Sequence, residues 1–186
     1  MGGAMSSVTI SGDTSGSVIL QAPSVAGSTT LTLPTTTGTL VTSNAMPTGS
    51  VIQVVSATST TSNATTSTSF VASSLTASIT PSSTSNKILV MVGGQLTVSA
   101  SSVQMFFTLY RNSATDLGNT TGSVGFGSLY SASGGLMQAP LFINYLDSPS
   151  STSATTYTVY HRVNTGTGTI ANNACTGVIT LMEIKG

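Results

Sequence analysis

Through most of the chain beyond residue 50, apolar residues return at every second position, and nowhere do they keep a helical spacing beyond three turns. Val103, Met105, Phe107 and Leu109 share one face of a predicted strand that Arg111-Asn112 ends. Tyr157, Val159, His161 and Val163 mark a second, and Leu141, Ile143 and Tyr145 a third that Asp147-Ser148-Pro149 closes. Leu75, Ala77 and Ile79 alternate before the turn Pro81-Ser82-Ser83. Val51 to Val55, apolar apart from Gln53, reads as a strand buried on both faces, Lys87 to Val92 as a buried strand and Val178 to Ile184 as the final strand. Gly93-Gly94 reads as a break or bulge, after which Leu96 and Val98 resume the alternation. Residues 56–69 read as a surface loop, Gly118 to Gly135 as long loops with a brief strand near Phe126, and Thr165 to Gly168 as a turn. About eight strands separated by turn signals predict an all-β fold, a jelly-roll-like antiparallel β-sandwich over residues 49–186.

Residues 1–48 carry a thinner pattern. Val18-Ile19-Leu20 is a short predicted strand after the turn-prone Ser11 to Gly16, Thr29 to Leu33 alternates Thr with Leu, and Thr39-Leu40-Val41 is a third piece. Isolated strand pairs are marginal in water, so this stretch reads as an extended β arm that needs another surface. Pro47-Thr48-Gly49-Ser50 makes the joint.

Composition sharpens this picture. The chain of 186 residues holds four Lys and Arg against four Asp and Glu, so 4% of it is charged; ordinary domains carry about 25%. Its mean hydropathy is positive, whereas disordered chains combine low hydropathy with high net charge. Order is therefore expected, with hydroxyls solvating the surface and β-branched residues favouring strands. So few charges also favour association of copies. With net charge zero and no basic run, the chain lacks the electrostatic means to track nucleic acid. Its longest apolar run, Ile88 to Val92, is too short to insert across a membrane, and Met1 to Met5 lacks the character of a signal peptide.

The residues that could carry chemistry are scattered. His161 is the one imidazole, and a serine triad would need it beside a serine and an orienting carboxylate such as Asp147. No Gly-x-Ser-x-Gly elbow occurs. Asp13, Asp116, Asp147 and Glu183 are the only carboxylates, each explained by a turn, arm or strand end, so a glycosidase pair is not expected. Gly125-Phe126-Gly127 fails the dinucleotide pattern because Tyr130 stands where the third glycine belongs. Cys175 is alone and reads as a small buried hydrophobe. His161 reads as a half-buried strand residue with its ring nitrogens satisfied; in a trimer three copies of it could instead meet around an axis as a metal site. Lys87 and Arg111 are expected to pair with Asp116 and Asp147 and pin loops. These readings give a non-enzymatic protein with no cofactor and no resident metal.

The arm, from Ser11-Gly12-Asp13-Thr14-Ser15-Gly16-Ser17 through Gly27 to Pro34 and Gly38 to Val41, resembles segments of bacteriophage virion proteins, including those of phages of cyanobacteria. Gly49 to Val55, Ile79 to Val90, Tyr145 to Pro149 and Ile179 to Lys185 resemble the same group. The resemblance implies a virion protein made in the host cytoplasm, and a homotrimer. It further implies a short tail fibre whose N-terminal arm anchors to the tail or baseplate while the β domain meets the host surface. The absence of a repeated shaft keeps open a capsid decoration protein, its arm spread on the major capsid protein. On this reading the loops 56–69 and 118–135 are the recognition candidates, with Tyr130, Phe126 and Asn119 as receptor-facing residues for a host surface glycan.

Overall fold

The computed structural model describes residues 7–21, 35–38, 41, 46–118, 124–171 and 175–186. The chain divides into two compact units, Met1–Val41 and Thr42–Gly186.

In the first unit, β1 (Ser7–Ser11) and β2 (Ser17–Gln21) form an antiparallel hairpin, in register from Ser7 opposite Gln21 to Ser11 opposite Ser17. Gly16 permits the return by taking a φ of 80°, and its carbonyl accepts the Gly12 N–H at 3.0 Å. The sequence pattern places β2 but misses β1, whose Val8-Thr9-Ile10 alternation is only three residues long. Val8, Ile10, Ile19 and Leu20 are all exposed. The pieces expected at Thr29 to Leu33 and Thr39 to Leu40 lie outside the described residues.

The second unit contains β3 (Val51–Ser59), β4 (Asn63–Thr65), β5 (Val71–Ile79), β6 (Lys87–Val98), β7 (Val103–Arg111) and β8 (Thr115–Asp116). There follow β9 (Gly127–Ser131), β10 (Met137–Asp147), β11 (Thr155–Val163), β12 (Gly168–Ile170) and β13 (Gly177–Ile184). All its strand pairs are antiparallel. The first sheet runs β3-β13-β6-β10, and short β12 and β4 extend the rows of β13 and β3 at one end. The second runs β5-β11-β7-β9, with β8 beside β9 on the same edge of β7.

Taken in chain order, the principal strands β3, β5, β6, β7, β9, β10, β11 and β13 pair first with last, second with seventh, third with sixth and fourth with fifth. That nesting is the jelly roll, two antiparallel sheets wrapped around one core. Alternation fills it: Ile88, Val90, Val92, Leu141, Ile143, Ile179 and Leu181 from the first sheet meet Leu75, Met105, Leu109, Tyr157 and Val159 from the second.

Four expectations change. Val51 to Val55 is not buried on both faces, for Val51 and Val54 are exposed on β3, an edge strand of its sheet. β6 runs unbroken through Gly93 and Gly94, and a Cβ at Gly94 would meet Leu141 and the Gly177 backbone at 3.6 Å, an ordinary contact. The loop expected at 56–69 contains the end of β3 and all of β4, since Ser and Thr occupy the solvent positions of strands as readily as those of loops. The turn at Thr165 to Gly168 is shorter than expected, and Gly168 begins β12.

Buried acids fasten the frame. Asp147, at the end of β10, accepts two hydrogen bonds from Arg111 Nη1 at 2.9 and 2.8 Å and one from the Tyr157 hydroxyl at 2.7 Å. Arg111 and Tyr157 belong to the second sheet, so this cluster ties sheet to sheet rather than loop to loop. Glu183 on β13 accepts from Gln53 and Asn86 at 2.6 Å, and from the Ser82 N–H and hydroxyl at 2.7 and 2.8 Å. Burial alone would raise its pKa; the bonds from Asn86, Gln53 and Ser82 outweigh that and hold it below the ordinary value. Gly49 donates to the Lys185 carbonyl at 2.8 Å and Lys185 to that of Ser50 at 2.9 Å, so the expected joint is bonded to the end of the sandwich.

Candidate interaction faces

The residues singled out for chemistry do not converge. His161 lies on the inward face of β11 with 1% of its surface exposed, and among the described residues neither ring nitrogen has a hydrogen-bond partner. Burial pushes its pKa down to about 4; the Asn63 backbone opposes that fall without completing a bond to the ring. Such an imidazole is neutral, activates no serine, and is not at a surface where copies could meet. The half-buried residue with satisfied nitrogens, and the three-histidine metal site, are both corrected by this placement. Cys175 is partly exposed rather than fully buried. Among the described residues, no three His, Cys, Asp or Glu side chains gather as a metal ion requires.

Arg111 and Asp147 form the expected ion pair at 2.8 Å. Burial and the bond to Asp147 hold the Tyr157 phenol well above its usual range. Asp116 accepts instead from the Thr108 hydroxyl and from the Gly118 N–H. Phe126 is partly buried, packed against the core edge-on to Tyr145 with ring centroids 5.4 Å apart. Asn119 lies outside the described residues. Tyr130 is half exposed on β9.

The register of β9 places Tyr130 in company that the loop reading did not anticipate. Tyr130 is opposite Gln104, Ser128 opposite Phe106, and Phe106 opposite Arg162, while Thr108 pairs with Tyr160 and Tyr110 with Thr158. All alternate with core residues, so all stand on the outer side of the second sheet, where Phe106, Thr108 and Thr158 are nonetheless buried. Tyr110 and Tyr160 stack with centroids 4.2 Å apart, and Phe70 approaches Tyr110 at 6.5 Å. Arg162 lays its guanidinium 4.0 Å from the Phe106 ring centre and 5.4 Å from that of Phe70. Burial, then Asp116, then Tyr160 raise the Tyr110 pKa, keeping the phenol protonated. Beside the rings, hydroxyls pair across strands, Thr76 with Thr158 at 2.8 Å and Ser78 with Thr156 at 2.6 Å. The signal was in the sequence: Phe106, Tyr110, Tyr160 and Arg162 fill the alternate positions of the strands whose core faces were assigned.

The solvent side of the first sheet is different. Val54, Met182, Leu89 and Leu146 stand in register across four strands, as do Ser56, Thr180, Met91 and Asn144, and then Thr58, Val178, Gly93 and Phe142. Phe142 is 64% exposed, Val54 54% and Leu146 50%. None of these twelve positions is charged. Lys87 stands at the rim, opposite Ile184. Strands about 4.8 Å apart and rows about 6.8 Å apart give this face a footprint of roughly 400 Å².

No protein-family model matches the chain, and no characterised protein matches it in sequence.

Proposed function

We propose that this chain is a non-enzymatic structural protein of a bacteriophage virion, a short trimeric tail fibre. Its N-terminal arm, about residues 1–48, anchors to the tail or baseplate, and the jelly roll is directed outward for host adsorption. The observation that carries this reading is the uncharged, in-register face of the first sheet. Seven of its twelve positions are Val, Leu, Met or Phe, and an apolar patch of a few hundred Å² on a protein surface often serves a contact. Its footprint is about half of the roughly 800 Å² that each partner buries in a standard interface, so it forms the apolar centre of a larger contact between copies. The virion resemblance supplies the setting, and the scarcity of charge suits a subunit that functions assembled.

Light scattering on the eluting protein tests association directly: a trimer at micromolar concentration is expected, and a monomer overturns the reading. A second reading, a capsid decoration protein seated on the major capsid protein, is favoured by the lack of a repeated shaft between arm and jelly roll. Copy number in purified virions separates the two. A few copies to a few tens indicate a fibre, and several hundred a decoration protein.

A further inference from the structure

The chain has five Tyr, five Phe and no Trp. Five of those ten rings lie on the outer side of the second sheet: Phe70, Tyr110 and Tyr160 partly exposed and in contact, Phe106 buried under Arg162, and Tyr130 half exposed farther along, on β9. Rings on a sandwich surface are not needed for its core, which is already filled from the opposite side of the same strands. Among the described residues, the hydroxyls of Tyr110, Tyr130 and Tyr160 make no hydrogen bond to the protein. Gln104 and the Thr76–Thr158 pair add further donors and acceptors around them.

We propose that this face binds a neutral glycan. A pyranose presents an apolar C–H face ringed by hydroxyl groups, and tyrosine offers the complement, a rigid apolar ring with a polar tip. Charge narrows the class. Arg162 is the one cation on the face, already spread over Phe106 and Phe70, and Asp116 stands beside Tyr110. That balance gives no hold on sulfated, sialylated or phosphate polymers, which need clustered Lys and Arg. A second copy of the chain is better served by the apolar face of the first sheet. The proposal rests on the reading of the jelly roll as an outward adsorption domain, and it moves the contact surface from the 118–135 loops to the sheet itself, with Tyr130 retained.

The test uses the full chain on an array of immobilised neutral oligosaccharides built from mannose, galactose, glucose, rhamnose and N-acetylhexosamines, with sialylated and sulfated spots beside them. Hits are then titrated in solution by tyrosine fluorescence, which no Trp obscures. Binding to a neutral spot is expected, with Tyr160→Ala and Tyr130→Ala each weakening it about tenfold, as for removal of a ring at the centre of a contact. Tyr160→Phe, which keeps the ring, should stay within about threefold of the parent. Should Tyr160→Ala fail to fold, the half-exposed Tyr130 carries the test alone. No binding to any neutral spot, binding to anionic spots only, or unchanged affinity in the alanine variants overturns the proposal. Light scattering on the same samples keeps the two readings apart. A trimer that binds no glycan removes this site only, whereas a glycan-binding monomer removes the trimeric reading and leaves the site.

Discussion

Both outer faces of the jelly roll are written in the same way, by the residues that alternate with the core, yet one sets Val, Leu, Met and Phe around a polar row of Ser56, Thr180 and Asn144, and the other carries Tyr and Arg. The first sheet shows Val54, Met182, Leu89 and Leu146 in one row; the second shows Tyr110, Tyr130, Tyr160 and Arg162. Neither face is needed to complete the interior, because the buried side chains of both sheets already fill it. What differs is the contact each face can make: apolar rows are satisfied only by exclusion of water, while phenols accept either water or a hydroxylated partner. A sandwich with unlike faces can be covered on one side and remain open on the other.

That comparison depends on the two sheets staying together, so the largest expected effect is at their fastening. Asp147→Ala leaves Arg111 and the Tyr157 hydroxyl without their shared acceptor. Breaking a buried pair costs about 3–5 kcal/mol, and Arg111 keeps enough solvent contact to place the loss near the lower value, about 3 kcal/mol. Urea unfolding measures it. A loss below about 1 kcal/mol would mean that hydrophobic packing alone holds the sheets in place.

Each sheet also carries a buried group whose pKa is depressed, His161 in the second and Glu183 in the first, and acid should distinguish them. His161 lies between Tyr160 and Arg162, and Glu183 between Met182 and Ile184. The folded pKa of His161, about 4, is below its unfolded value of 6.5, so the unfolded chain binds more protons between those limits. Stability is whole above pH 6.5 and falls as pH drops toward 4, by about 3 kcal/mol in total at 1.36 kcal/mol per pH unit. The Glu183 pKa is also depressed, so its contribution is present above the unfolded value of 4.5 and is lost at lower pH, as the carboxylate protonates. His161→Leu should therefore flatten the unfolding profile between pH 6.5 and 4.5 and leave the more acid fall in place. An unchanged slope in the variant would show that His161 is not the group responsible.

The sequence displays these elements unequally. Core faces such as Val103 to Leu109 and Tyr157 to Val163 are legible because period-two alternation with apolar residues has one physical meaning, a half-buried strand. The outer ring cluster is legible only after those faces are fixed, and even then Phe70 precedes its strand and joins the face through the fold. Val8 to Ile10 is too short a pattern to announce β1, and Ser56 to Ser59 too polar to separate strand from loop. The pairing of Asp147 with Tyr157 was not legible at all. It spans ten residues of sequence but links the ends of strands in different sheets, and only the jelly-roll nesting brings them together.

Association should respond to the first sheet and not to the second. Leu89→Lys places a charge at the centre of the apolar row, on a side chain that points outward and so leaves the core intact. The proposed trimer should weaken by about a hundredfold or more, since a lysine buried without a partner against a neighbouring copy is unfavourable by several kcal/mol. Analytical ultracentrifugation over a concentration series reads this, with Tyr160→Ala as the contrasting change that should leave association as it was. The reverse result, a trimer sensitive to Tyr160 and indifferent to Leu89, would exchange the roles of the two faces.

The smallest change sharpens the same question. A Cβ added at Gly93 meets only the Val178 methyl carbon, at 3.9 Å, so Gly93→Ala introduces no strain within the chain. Replacing a strand glycine also reduces the freedom of the unfolded chain, so folding should become slightly more favourable, by about 0.5 kcal/mol. On a face open to water nothing else would change. Gly93 stands between Val178 and Phe142 in the third row, however, and a methyl group there would protrude into whatever packs against that row. In a closely fitted contact one added methyl forces about 1–3 kcal/mol of rearrangement, which reads as a roughly tenfold weaker trimer in a better-folded subunit. That divergence, folding improved while association falls, is the signature of a covered face. If both quantities move together or association stays fixed, the contact between copies lies away from the Phe142 row and is centred on the row of Leu89.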